Sequence, residues 1–73
     1  MPGLYWVHVQ IVSGIDGREL DEPRAFTIEA LNRSSAEAAG RAEAMDLPAF
    51  DRTKDPRVRL LKTVPAWDQR LAA

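Results

Sequence analysis

The chain lacks cysteine and has a single histidine, His8, among its 73 residues. Without thiols it can form neither a disulfide framework nor a thiolate metal site. One imidazole leaves a structural zinc ion dependent on carboxylates, so we expect no metal and no cofactor. The length predicts one domain, residues 1–73, and so small a body must be stabilised by close packing or by a partner.

Long apolar runs are also missing. No stretch approaches the length that spans a bilayer, and the start of the chain has no basic and apolar leader. We therefore expect a cytoplasmic protein with no membrane partner. The net charge of −1 provides no overall attraction to nucleic acid. A composition rich in alanine and arginine is typical of GC-rich bacterial or phage genomes.

Motifs of catalysis are absent too. There is no phosphate-binding glycine loop and no readable arrangement of nucleophile, histidine and acid. If Met1 were removed, Pro2 would become a secondary amine as in small tautomerases, but those enzymes follow the first strand with a helix, and here a loop and a second strand are predicted. The acidic segment from Asp16 to Glu22 lacks the spacing of an EF-hand. The sequence favours a protein without enzymatic activity.

Hydrophobic alternation predicts three strands. They cover Leu4–Val12, Arg24–Leu31 and Arg57–Val64, and a polar loop with two glycines separates the first two. Pro65 ends the third strand because it cannot donate to a ladder. The tail from 65 to 73 is predicted to add a short helical turn.

One helix is predicted between the second and third strands. Ser34 to Glu37 matches a capping box, and Pro48 stops the helix near Asp46 or Leu47. The predicted buried stripe has Ala38, Ala42 and Met45, with Ala39 beside it. Gly40 is expected where the helix backbone approaches the sheet.

These elements predict an α+β fold of ββαβ type. If the third strand pairs with the first, the strand order is 2-1-3 and all neighbours are antiparallel. This is a split β-α-β arrangement, half of a ferredoxin-like domain, with one helix on one face and a short C-terminal tail. Nine apolar side chains are predicted to face the helix: Tyr5, Val7, Val9, Ile11, Phe26, Ile28, Val58, Leu60 and Val64.

The first strand is apolar on its other face as well, and a single helix cannot cover both faces. We therefore expect this second face to be covered, either by the tail of the chain through Trp67 and Leu71 or by another chain. In the second case the face binds a protein partner or a second copy of the chain, with stacked faces as the simplest dimer. A strand edge is the alternative surface for a protein partner. The residues predicted to bind the partner are Leu4, Trp6, His8, Leu61 and Trp67.

Charge is divided between the two ends of the chain. Residues 1–50 have four basic and eight acidic side chains, a net −4, whereas residues 51–73 have six and three, a net +3. The alternative function is therefore a nucleic-acid-binding module. Its candidate residues are Arg52, Lys54, Arg57, Arg59 and Lys62. Strict alternation predicts that Lys62 faces away from Arg57 and Arg59, which weakens this alternative.

Overall fold

The computed structural model describes residues 2–66. Its strands are β1 (Gly3–Ser13), β2 (Arg24–Ala30) and β3 (Pro56–Pro65), and its helix is α1 (Arg33–Met45), with a short 3-10 turn at Arg52–Lys54. The sheet has the order β2-β1-β3, and both neighbouring pairs are antiparallel. The predicted α+β class, strand order and single helix are confirmed. The predicted helical turn after Pro65 and the candidate Trp67 lie outside the described residues.

The central position of β1 explains its sequence. Val7 and Val9 are at most 1% exposed, because a central strand under a helix loses contact with water on that face. Ile11, further along the same face, is also 1% exposed. Ala36 and Ala44 of α1 pack against Val7 and Val9. Partly buried side chains complete this core: Tyr5, Phe26, Ile28, Ala30, Val58 and Leu60.

The helix presents a different stripe to the sheet from the one predicted. Ala36, Gly40 and Ala44 are buried, whereas Ala38 and Ala42 are exposed. Met45, predicted to be buried, is 45% exposed. Alanine occurs on every side of this helix, so the alanine pattern does not show which side faces inward. The prediction that Gly40 lies where the helix approaches the sheet is confirmed, since Gly40 is on the buried side. The smallest stripe is the buried one because it allows the closest approach to the sheet.

The helix also begins earlier than predicted. Asn32 is the N-cap, and its Oδ1 accepts a hydrogen bond from the backbone N–H of Ser35 at 2.9 Å. The predicted capping box from Ser34 to Glu37 does not form. Instead, the Glu37 carboxylate accepts a hydrogen bond from the Thr63 hydroxyl at 2.8 Å, which ties α1 to β3. The helix ends at Met45 with Asp46 as its C-cap, as Pro48 predicted.

A β-bulge in β3 changes which side chains share a face. His8 pairs with Lys62 and Val9 pairs with Leu60, so Leu61 is an extra residue with no partner across the ladder. Beyond this point the alternation of β3 is reversed relative to the prediction. Thr63, opposite Val7, lies on the helix side.

Val64 is therefore on the other side of the sheet, opposite Trp6, and the prediction that it faces the helix is wrong. The prediction that Lys62 faces away from Arg57 and Arg59 is wrong for the same reason. The bulge residue shifts the period-two pattern by one position, and a shift of one residue exchanges the two faces.

Candidate functional site: the open face of the sheet

The face of the sheet opposite α1 is called here the open face, because no helix or strand of residues 2–66 packs over its Leu4–Trp6 end. Its other end is closed, since Gln10 and Val12 are only 4% and 9% exposed. Residues directly opposite each other in an antiparallel ladder point to the same side, so the register assigns its members. They are Leu4, Trp6, His8, Gln10 and Val12 of β1, Ala25, Thr27 and Glu29 of β2, and Arg57, Arg59, Lys62 and Val64 of β3.

One end of the open face is apolar. Leu4 is 42% exposed and Trp6 is 37% exposed. Trp6 lies between Thr27 on β2 and Val64 on β3, which are its partners in the two ladders. The bulge thus adds Val64 to the apolar surface that the sequence predicted around Leu4 and Trp6.

Two more predicted partner-binding residues lie near this surface. His8 follows Trp6 on the same face and is flanked by Ala25 and Lys62. Leu61 is 43% exposed, but it is the bulge residue. Since the ladder gives it no partner, its place on the open face stays a prediction.

The β3 side of the open face is basic. Arg57, Arg59 and Lys62, called here the basic strip, lie opposite Val12, Gln10 and His8, which are alternate residues of β1. Antiparallel strands rise about 3.4 Å per residue, so neighbouring members are separated by about 7 Å along the strand. Within residues 2–66, no carboxylate lies within ion-pair distance of Arg59 or Lys62, and Arg57 is 3.4 Å from the Asp55 carboxylate.

The other two predicted basic residues do not join this strip. Arg52 and Lys54 belong to the 3-10 turn that precedes β3. The Arg52 guanidinium lies 5.5 Å from the centre of the Phe50 ring, a cation–π distance. Lys54 lines a shallow cavity of about 300 Å³ next to the loop that follows β1. The structure therefore divides the basic segment into a strip on the sheet and a separate pair in a loop.

A buried glutamine joins the basic strip to the opposite side of the face. Gln10 is 4% exposed. Its Oε1 accepts a hydrogen bond from Arg59 at 3.0 Å, and its Nε2 donates to the carbonyl oxygen of Asp21 at 3.1 Å. Both polar ends of the buried amide are thus satisfied, which orients the Arg59 side chain. Sequence reasoning missed this role, although a polar residue inside an apolar strand was the available signal.

The β2 side of the open face is acidic. Glu29 lies opposite Leu4 on β2. Glu19, in the segment before β2, forms an isolated antiparallel bridge with Val12 and so points to the same face. Between them, Asp21 makes a close ion pair with Arg24, whose hydrogen bond holds the pKa of that carboxyl below its ordinary value of 3.8. Glu19 and Glu29 are called here the acidic margin.

The two strand edges differ in how open they are to another strand. The β3 edge has a proline at each end, Pro56 and Pro65, and the bulge at Leu61 between them. These features, together with its basic side chains, oppose the addition of another strand. The β2 edge is regular and has neither proline nor bulge. If a strand edge binds a partner, β2 is the better candidate.

Comparison with protein-family models, curated proteins and solved structures finds no match to this chain. No helix within residues 2–66 is long and apolar enough to cross a membrane. In the same part of the chain, no three histidine or acidic side chains cluster closely enough to hold a metal ion.

Proposed function

We propose that the protein is a cytoplasmic, non-enzymatic interaction module that binds a protein partner, a second copy included, through the open face. The observation that carries the proposal is the exposure of Leu4 and Trp6 side by side at the end of the face that no other element of residues 2–66 covers. Full burial of a completely exposed large apolar side chain is worth roughly 1.5–3 kcal/mol. Covering the exposed 42% of Leu4 and 37% of Trp6 therefore contributes on the order of 1 kcal/mol each. A domain this small has little stability to spare, so covering that surface is a large gain.

Trp6 is the expected anchor of this interaction. Tryptophan is enriched among residues that dominate binding energy, and those residues cluster near the centre of an interface. Trp6 lies in the central strand, with Thr27 and Val64 on either side. A partner that covers Trp6 therefore also covers the rest of the apolar end.

The test compares Trp6→Arg with Ile15→Arg. Ile15 is 79% exposed in the loop after β1, so the control adds the same side chain outside the open face. Self-association is measured by light scattering, and any protein captured from the source cell is purified and its affinity measured directly. We expect the wild type and Ile15→Arg to bind alike and Trp6→Arg to bind at least about tenfold more weakly. Equal affinity of all three proteins would contradict the proposal.

A nucleic-acid-binding module is the second candidate, and the bulge is the observation that favours it. The bulge aligns Lys62 with Arg57 and Arg59 on one face, next to Trp6 and His8. A row of cations beside an aromatic ring suits single-stranded nucleic acid, because the cations contact its phosphates and the ring stacks on its bases. The candidate ranks second because the open face has one tryptophan rather than the several aromatic side chains of RNA-binding sheets, and because the acidic margin repels phosphate.

Fluorescence anisotropy with labelled single-stranded DNA and RNA at low salt tests the second candidate. Three phosphate contacts predict a log–log salt dependence of the binding constant of about −2. Arg59→Ala with Lys62→Ala should weaken binding, whereas Arg18→Ala with Arg33→Ala removes the same charge elsewhere and should not. Absence of binding at low salt, or equal loss in both variants, would exclude this function.

A further inference from the structure

The charged side chains of the open face are sorted by side. Glu19 and Glu29 lie along the β2 side, and the basic strip lies along the β3 side. Between them runs the central row of β1, whose exposed end is Leu4 and Trp6. A face with acidic residues on one side, basic residues on the other and an apolar end to its central row can pair with a second copy that is turned over.

We propose, building on the proposed function, that the partner is a second copy of this chain, stacked open face on open face about a twofold axis parallel to β1. Rotation about such an axis keeps each residue at the same position along the strand. It places β2 of one copy over β3 of the other. Glu19 of each copy then lies over the basic strip of the other, whereas Glu29, level with Leu4, lies beyond the end of the strip. Two sheets stacked in this way keep their strands nearly aligned, the common arrangement of packed sheets.

The ladder register gives the contacts of this dimer. Glu19 and Arg57 both lie level with Val12, so each Glu19 faces the Arg57 of the other copy. Thr27 and Val64 both lie level with Trp6, so they also face each other across the interface. The exposed β1 residues Leu4 and Trp6 meet their own counterparts, which places the two Trp6 side chains together at the apolar end of the face.

The alternative twofold axis runs across the strands and is disfavoured by charge. When the two faces overlap fully, this axis reverses the order of the residues along β1 about His8. It also places β2 of one copy over β2 of the other, and β3 over β3. Lys62 then faces Lys62, and Glu29 faces Glu19 of the other copy. Like charges brought together at an interface oppose association, so with full overlap the charges favour the axis parallel to β1.

Apolar contact and charge have separate roles in this dimer. The affinity comes mainly from burying Leu4 and Trp6, since exposed ion pairs add little. The charges favour the axis parallel to β1 over the fully overlapping arrangement with the axis across the strands. Because the interface is isologous, a change at one position acts twice in each dimer.

Charge reversal at Glu19 and Arg57 tests the orientation. In a homodimer of the Arg57→Glu variant, the introduced carboxylate faces Glu19 of the other copy. In a homodimer of the Glu19→Arg variant, the introduced guanidinium faces Arg57 of the other copy. We expect each variant alone to self-associate several-fold to about tenfold more weakly than the wild type in sedimentation equilibrium at low salt. When the two variants are mixed, opposite charges meet at both positions, and heterodimers should form with nearly wild-type affinity.

Controls separate this proposal from the broader one. Both positions are exposed, so circular dichroism should show folded variants, and the differences should fade at high salt because exposed ion pairs are screened. A mixture that associates no better than either variant alone overturns the proposed orientation. A wild type that stays monomeric at every concentration overturns the second copy as partner, yet leaves the open face as a binding site if a different purified protein binds it in a Trp6-dependent way.

Discussion

A Cβ atom added to Gly40 would lie 2.5 Å from Cγ1 of Val7 and 2.9 Å from its Cβ. The helix backbone therefore rests directly on a β1 side chain that is fully buried. Gly40 is at the centre of the buried stripe between Ala36 and Ala44. This close approach is the reason that glycine occupies a helix interior, where it otherwise costs up to about 1 kcal/mol relative to alanine.

Gly40→Ala should lower the free energy of unfolding although it improves helix propensity. Overpacking of a tight contact costs typically about 1–3 kcal/mol, which exceeds the gain in propensity. Urea denaturation measures the difference, and Ala42→Gly at an exposed helix position measures the propensity alone. Combining Gly40→Ala with Val7→Ala should cost less than the sum of the two changes, because the smaller residue makes room. A Gly40→Ala variant more stable than the wild type would refute the close approach.

Asn32→Ala should destabilise the domain, and Ser34→Ala should not. The Asn32 side chain accepts from the N–H of Ser35, whereas Ser34 is exposed within the first turn. Loss of an N-cap costs about 0.5–2 kcal/mol, and an exposed substitution elsewhere stays within about 0.5 kcal/mol. Thermal unfolding of both variants gives the comparison. The reverse ranking would restore Ser34 as the cap.

Deletion of Leu61 should leave the fold and all other pairings intact. Leu61 has no partner in the ladder, so its removal joins Leu60 and Lys62 into a regular strand opposite Val9 and His8. Cross-strand nuclear Overhauser effects should still connect Thr63 with Val7. Deletion of Arg59 is the control, because it removes a paired residue and exchanges the faces on one side of the gap. Loss of folding in both deletions alike would contradict a bulge at Leu61.

The pH dependence of Asp21 follows from its ion pair. The Arg24 guanidinium lowers the pKa of Asp21 from its ordinary value of 3.8, mainly through the hydrogen bond between them. A carboxyl group whose pKa is lowered in the folded state stabilises the folded protein at pH values above the ordinary pKa. This stabilisation is lost as the pH falls through the pKa of the folded state. Arg24→Ala should raise the Asp21 pKa in a carboxyl NMR titration, and Arg18→Ala should leave it unchanged. An unchanged pKa in Arg24→Ala would contradict the assignment.

The strand order could be predicted because β1 is apolar on both faces, which is typical of a central strand. The register of β3 beyond Leu60 could not, because Leu61 looks like any other aliphatic strand residue and nothing in the sequence marks it as a bulge. That one residue decides whether Lys62 joins Arg57 and Arg59, so the composition of the candidate site depended on it. Alternation along β1 correctly predicted that Leu4, Trp6 and His8 share a face.

The helix shows a second limit of sequence patterns. A helix so rich in alanine has no apolar stripe distinct from its other sides, so the alanine pattern predicted the wrong stripe, although Gly40 was correctly predicted to approach the sheet. Two polar residues, Asn32 and Ser34, could each cap it, and only the backbone geometry distinguishes them. Tertiary packing and backbone geometry therefore determined which alanines are buried and which residue caps the helix, and the local sequence pattern did not.

The most direct test of the open face as a binding surface is a concentration series followed by NMR. The signals to compare are the Trp6 indole N–H and the methyl groups of Leu4 and Val64 on the open face, against the methyl groups of Ala38 and Ala42 on the outer side of α1. We predict that the first set shifts as the protein is concentrated or a purified partner is added, while the alanine methyl signals stay in place. Shifts confined to the alanine methyl groups, or no shift in either set with any ligand that the protein binds, would show that the open face is not where it binds.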